Sequence, residues 1–372
     1  ALFINRLSRG RQTVAKPHRI LGLLMYVVLL VVTAFVLYGG FALLKNLGSS
    51  KILATLFALV WGIGSVALLY FVLNKGSERL PRQARTIVIP LVFAGPALVL
   101  LFWFLVFPTL RTLWLSFFDD TSTHFVFLQN FRFAFTDPIM LESFRNNLLW
   151  MVFGTIFCVG MGLVIAVLAD RSKWEKVYKA IIFMPMAISF VGAGVIWKFV
   201  YSYKGEAPGM QEIGLLNAIV VALGGKAHAW LLFSGWNNFL LIVIMVWLQT
   251  GYAMVILSSA IKAVPGELLE AARIDGAGET RIFFRVIIPV IEGSIVTVTT
   301  TIVIFSLKLF DIVRVMTGGN YGTNVIANEF YLEQFTYGQT GRASAIAIVL
   351  LVAIVPVMIY NLRRFAERRA FK

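Results

Sequence analysis

Residues 262–289 read KAVPGELLEAARIDGAGETRIFFRVIIP and stand between two apolar runs, 237–260 and 290–310, each long enough to cross a membrane. Pro265 can open a short helix, where its missing N–H removes nothing. Glu267 and Glu270 follow near the positive end of that helix, and Gly276 is its natural stop. The spacing predicts about two turns, roughly 15 Å long. Two adjacent alanines, Ala271 and Ala272, would let another surface approach closely. A plain connector between membrane helices requires none of this.

Outward from that stretch the chain is membrane material. Its 372 residues are 59% hydrophobic and only 14% charged, with mean hydropathy +0.84, more apolar surface than a soluble domain of this length can hide. Eight segments reach spanning length, near 20–44, 52–73, 87–107, 144–168, 180–201, 237–260, 290–310 and 342–362. They are continuously apolar and lack period-two alternation, which predicts an all-α polytopic bundle of about eight transmembrane helices and excludes a barrel. The first run lacks a small-residue cleavage site and reads as a retained span. Pro90, Pro96 and Pro108 are expected to kink or end the third span.

The net charge of +15 invites a nucleic-acid reading, which its distribution excludes. With an even number of spans, about two thirds of the 33 Lys and Arg fall in the N-terminus, the C-terminus and the loops of one side. That asymmetry puts both termini, and with them residues 262–289, in the cytoplasm. Membrane lipid headgroups are the expected partners of these charges, including Arg363, Arg364, Arg368 and Arg369. Cys158 lies inside the fourth span as a small hydrophobe, and His18, His124 and His228 show no metal-ligand spacing, so no metal site is expected.

On the other side, loops at about 108–143, 202–236 and 311–341 are long enough to be functional. Ile213 to Leu223 reads as an interfacial helix. Gly160, Gly162, Gly192 and Gly194 suit close helix packing. No phosphate loop is present, since Gly225-Lys226 is followed by Ala227, and no chain of membrane carboxylates offers a proton relay. Energy must therefore arrive through a partner. In the sixth span Gln249 and Tyr252, and Leu248 and Tyr252, share a helical face with Trp247 at its edge. A buried Gln amide there needs either a neighbouring helix or a ligand hydroxyl. Lys308, Asp311 and Arg314, spaced by threes, suggest a charge ladder, with Lys308 either paired to Asp311 or facing a substrate. An ion- or proton-coupled secondary transporter is the alternative; a membrane-embedded enzyme is disfavoured, since no catalytic constellation converges.

Glu270-Ala271-Ala272, Gly276 and Val286-Ile287-Ile288-Pro289 together resemble the Glu-Ala-Ala loop of permease subunits in ATP-binding-cassette importers. Val286 and Ile288 stand where Ile and Leu are usual. The resemblance implies a six-span permease core over 86–372 with its coupling loop at 262–289, preceded by a tail and two extra spans over 1–85. It implies that Glu267, Glu270, Ala271, Ala272, Asp275 and Gly276 form a knob docking on a cytoplasmic ATPase. Counting back from Lys262-Ala263-Val264-Pro265, Trp247, Leu248, Gln249 and Tyr252 match sugar-contact positions of maltose-type permeases. Counting back from Thr317-Gly318-Gly319, so do Thr301, Ile304, Phe305 and Lys308, although maltose members carry amides at the last two. Residues 182–190, Ile213 to Asn217 and Trp236-Asn237-Asn238 resemble alpha-glucoside-type members. The family implies a non-catalytic subunit of a bacterial inner-membrane importer, binding no cofactor itself. Its partners would be a second, different permease, a homodimeric ATPase carrying ATP and Mg, and an external sugar-binding protein.

Overall fold

The computed structural model describes residues 16–46, 51–78, 82–204 and 214–370, and their regular structure is helical apart from one isolated bridge, Phe118 to Phe125. The chain divides into two compact units, Ala1–Thr109 and Leu110–Lys372.

The first unit holds α1 (Lys16–Asn46), α2 (Lys51–Glu78) and α3 (Arg82–Leu101). Gly40 lets α1 close on α2, because a Cβ there would strike the indole of Trp61. Tyr70 meets Phe93 edge-on between α2 and α3. Hardly any of the apolar surface is covered, with Phe35, Tyr38, Val60 and Ile63 all more than half exposed, as lipid-facing helices require. The helix runs past all three prolines rather than ending at them. Pro90 and Pro96 lie inside α3, and a single π-turn, Phe102–Val106, leads into α4 (Phe107–Leu115). The ring of Pro108 would collide with the carbonyl of Phe104, and the wider turn at that residue relieves the clash.

In the second unit, α5 (Gln129–Thr136) precedes α6 (Pro138–Leu149), which passes through another π-turn into α7 (Thr155–Asp170). The pair forms one continuous stretch of 33 residues, beginning before the expected residue 144. Helices α8 (Glu175–Phe183) and α9 (Phe190–Val200) occupy the expected span at 180–201, but they meet at 101°. Thus seven helices among the described residues are individually long and apolar enough to cross a membrane, and this bent pair makes an eighth only if counted together. The bend is written locally. Pro185 sits in a short 3-10 turn, and Ser189 caps α9 by accepting the Gly192 N–H at 3.1 Å. Gly251 of α11 (Asn237–Lys262) lets the break come close, since a Cβ there would lie 2.6 Å from the Ile182 carbonyl oxygen.

Helix α11 is the axis of this unit, with 67% of its apolar window buried against 28% for the other long helices of the unit. It packs along α7, where Gly162 faces Ala253. Of the other glycines read as packing residues, Gly194 faces Val315, Gly192 meets chiefly its own cap, and Gly160 meets nothing within 4 Å. The short α10 (Leu215–Ala222) covers part of the expected 213–223 helix; Ile213 lies outside the described residues. Its Asn217 ties the flanking loop together, donating to the Ser202 and His228 carbonyls and accepting from the Trp230 indole N–H at 2.8 Å. After α12 (Gly266–Ile274), α13 (Glu279–Ile282) runs through a π-turn into α14 (Ile288–Leu307), with Pro289 in the first turn of α14.

Residues 311–341 are an ordered layer, comprising α15 (Asp311–Met316) and α16 (Ile326–Tyr331) before α17 (Thr340–Ala370). Buried amides hold it. Asn146 donates to the Gly322 and Asn324 carbonyls at 2.9 and 2.8 Å, and Asn238 donates to Gly322 at 3.0 Å. Asn147 accepts the Ile326 N–H at 2.9 Å.

Glu333 is 4% exposed, and its Oε2 has no hydrogen-bond partner among the described residues. Burial pushes its carboxyl up to about 7, with nearby Glu329 and Asp137 adding to the rise and Arg342 opposing it. The folded protein therefore holds this proton more tightly than the unfolded chain, whose glutamate titrates near 4.5. Stability is then greatest below the unfolded value and falls as pH rises toward 7, by about 3 kcal/mol in all. Glu333→Gln is expected to flatten that slope and to melt above wild type at pH 8. Thermal melts at pH 5 and pH 8 check this, and a wild-type melting temperature rising across the interval would contradict it.

Candidate functional site

The stretch between α11 and α14 folds into a knob. Pro265 takes extended geometry (φ −58°, ψ 130°) as the residue before α12, so the helix starts at Gly266, one residue later than a proline in the first turn. Its end is closed at Gly276, whose φ of +76° is open to glycine at no steric penalty. Asp275, Gly276 and Ala277 donate back to the carbonyls of Ala271, Arg273 and Ala272, satisfying the last turn. Glu267, Glu270, Ala271 and Ile274 fall at i, i+3, i+4 and i+7, and all four are exposed on one face. Ile274 is 86% exposed. Ala272 is half-buried, so only one of the two alanines belongs to that face. Asp275, just past the helix end, is exposed as well.

The intramembrane candidates occupy several environments. On α11, Leu248 is sealed at 1% exposure and Gln249 is buried, while Trp247 and Tyr252 are half-buried. No hydrogen bond from a described residue reaches the Gln249 amide. Trp247 meets Trp197 edge-on, with ring centroids 5.9 Å apart. Both line an apolar cavity of about 630 Å³ with Phe157, Trp236, Phe239 and Pro185. On α14, Thr301 is exposed and its hydroxyl donates to the Thr297 carbonyl at 2.9 Å; Ile304 is half-buried. Phe305 packs on Phe190 at 4.8 Å, and with Lys308, Phe310 and Asp311 they line a second cavity of about 300 Å³. Each cavity takes residues from one predicted wall only.

The charge ladder does not form. No ion pair within 4.0 Å joins Lys308 to Asp311 among the described residues, although both line the smaller cavity. The reason is a break in the helix. α14 stops at Leu307, Lys308 caps it, and Asp311 opens α15, so the three-residue spacing no longer puts them on one face. Arg314 instead lies 4.5 Å above the Tyr331 ring.

Sequence reasoning missed a cluster where α7, α8 and α11 end near the knob: Asp170, Glu175, Lys179, Ser258 and Lys262. Glu175 and Lys179, and Ser258 and Lys262, stand four apart on single helices, and only the first is a charge pair that could have signalled it.

Residues 158–372 match the family described as "Binding-protein-dependent transport system inner membrane component". The chain is 56% identical over 281 residues to the osmoprotective compounds uptake permease protein GgtC of Synechocystis sp., covering 76% of this chain and 100% of that one. It is 48% identical over 275 residues to the alpha-glucoside transport system permease protein AglF of Rhizobium meliloti, covering 74% and 81%. In fold it is similar to a chain in the crystal structure of a bacterial ABC transporter importing alginate, with a TM-score of 0.66 at 18% identity over 78% of this chain and 100% of that one. The extended apolar helices, the central α11 and the protruding α12 thus have their place: the chain belongs to the binding-protein-dependent transport inner-membrane components, as a non-catalytic permease subunit of an ABC sugar importer.

Proposed function

We propose that this chain forms half of the translocation pathway for an alpha-glucoside-like sugar and takes its energy through α12. The carrying observation is the exposed face of α12, where Ile274 stands 86% exposed beside Glu267, Glu270 and Ala271. An apolar side chain held so far out on a capped helix is suited to a protein partner. The partner on this reading is a homodimeric ATPase that carries ATP and Mg, so the knob and both termini face the cytoplasm of a bacterium and the spans cross its inner membrane. The ordered layer at 311–341, attached near the start of α11, then faces outward, where a sugar-binding protein would dock. Trp247 of the first predicted wall and Phe305 and Lys308 of the second line separate cavities, which supports a pathway completed by a second, different permease. Similarity to AglF and GgtC supports a glucoside as cargo.

The test is uptake in proteoliposomes holding this chain with its copurified partners and ATP, across a panel of alpha-glucosides and unrelated sugars. ATP-dependent uptake led by a glucoside is expected. Gradient-driven uptake by this chain alone would overturn the reading in favour of a secondary transporter.

A further inference from the structure

The chain on both sides of α12 is linked by charge to the turn between α7 and α8, a segment to which it is not joined in sequence: before α12 through Lys262, and after it through Glu279, which also holds Arg273 of α12. At the first end is Lys262, the last residue of α11, three positions before Pro265. Its ammonium donates to Glu175 Oε1 at 2.5 Å. The same oxygen accepts from Lys179 at 2.6 Å. Lys179 also donates to Asp170 Oδ1 at 2.5 Å, and the Ser258 hydroxyl of α11 donates to that oxygen at 2.7 Å. At the far end Arg273, in the last turn of α12, donates to Glu279 Oε1 at 3.1 Å. The other oxygen of Glu279 accepts from Arg171 at 3.4 Å. Asp170 and Arg171 are neighbours at the end of α7, so both sets of links converge on one place.

We infer that the turn at residues 171–174 is a second lever. On this assignment Arg171, Glu175 and Glu279 are positioning residues that make α7 and α8 follow α12, besides α11 and α14, which are joined to it by the chain itself. The consequence reaches the transport path, because Phe157, Met161 and Ile165 of α7 and Ile181 and Ile182 of α8 line the larger cavity beside Trp247. Rigid elements linked in this way move as one body when a partner shifts α12. The inference rests on the coupling role proposed above for α12.

The two networks offer different tools. Asp170 and Lys179 side chains are only 13% and 18% exposed, so variants there could disturb folding. Arg171, Arg273 and Glu279 are more than half exposed, and exposed pairs contribute little to stability. Removing the outer link should therefore leave the fold intact. The experiment compares Arg171→Gln, Glu279→Gln and the double variant with wild type, in the reconstituted complex with its ATPase and binding protein. It reads sugar moved per ATP hydrolysed, the KM for ATP and the melting temperature.

Each single variant is expected to lower the sugar-to-ATP ratio about five-fold, the lower end of usual coupling effects, at unchanged KM and melting temperature. The double variant should lose no more than Glu279→Gln alone, which already removes both the Arg171 and the Arg273 links. Ratios within two-fold of wild type in all three, or losses that track a falling melting temperature, would overturn the lever. A wild-type complex with no ATP-driven uptake would overturn both the lever and the coupling role beneath it.

Discussion

Gly276→Pro is expected to abolish ATP-driven uptake, by at least about ten-fold, while the protein still inserts in the membrane. Gly276 holds φ at +76°, whereas proline is fixed near −65°. The Gly276 N–H also donates to the Arg273 carbonyl at 3.0 Å, and proline has no N–H to replace it. Together these should disrupt the turn that closes α12 by about 3 kcal/mol or more, misplacing Ile274 two residues away. Gly276→Ala separates strain from loss of the bond. No atom lies within 4 Å of the Cβ it would add, so only the left-handed backbone of a non-glycine residue, about 1–2 kcal/mol, is charged against it. A partial loss is therefore expected from alanine and a full one from proline. Glu270→Ala should uncouple by removing a carboxylate from the exposed face, with α12 itself retained. Copurification of the ATPase and uptake in proteoliposomes report on all three. Full uptake by both Gly276→Pro and Glu270→Ala would remove α12 from energy coupling.

The reason α12 could be read from sequence is that its determinants are local. Pro265, Gly276 and the acidic first turn act within a few residues of one another, and the structure differs only in starting the helix at Gly266. The long apolar runs were legible for the same reason, since span length follows from composition alone. What escaped was set by neighbours. The 101° bend between α8 and α9 needs Pro185, the Ser189 cap and the gap left by Gly251, a residue more than sixty positions away. The region at 311–341 reads as a loop because its order comes from Asn146, Asn147 and Asn238 on other helices. The ladder at Lys308, Asp311 and Arg314 failed because a spacing rule was applied across a helix end. The links of Asp170 and Arg171 have no local signal, because their partners at Ser258 and Glu279 lie 88 and 108 residues away.

Gln249→Leu combined with Tyr252→Ala is the change expected to reduce sugar transport most without touching α12. Gln249 is 8% exposed on α11, and no hydrogen bond from a described residue reaches its amide, which is not among the fully sealed, unpartnered groups. An amide that no described residue pairs adds little to the fold through hydrogen bonding, so an apolar leucine of similar size should leave stability level or raise it. Transport should move the other way. If a sugar hydroxyl is the missing partner, the leucine removes its hydrogen bond. The alanine at 252 then removes an aromatic face suited to the C–H side of a pyranose, at a half-buried site where truncation leaves no sealed void. Losing one charge-neutral hydrogen bond and one ring contact should lower sugar-stimulated uptake by about ten-fold or more. Complex assembly and basal ATP hydrolysis should persist, because α12 and its exposed face are unchanged. The opposed directions make the measurement decisive. A variant with raised melting temperature and undiminished uptake would assign Gln249 and Tyr252 to packing alone, whereas raised or level stability with lost uptake is the result that a place in the sugar's path predicts.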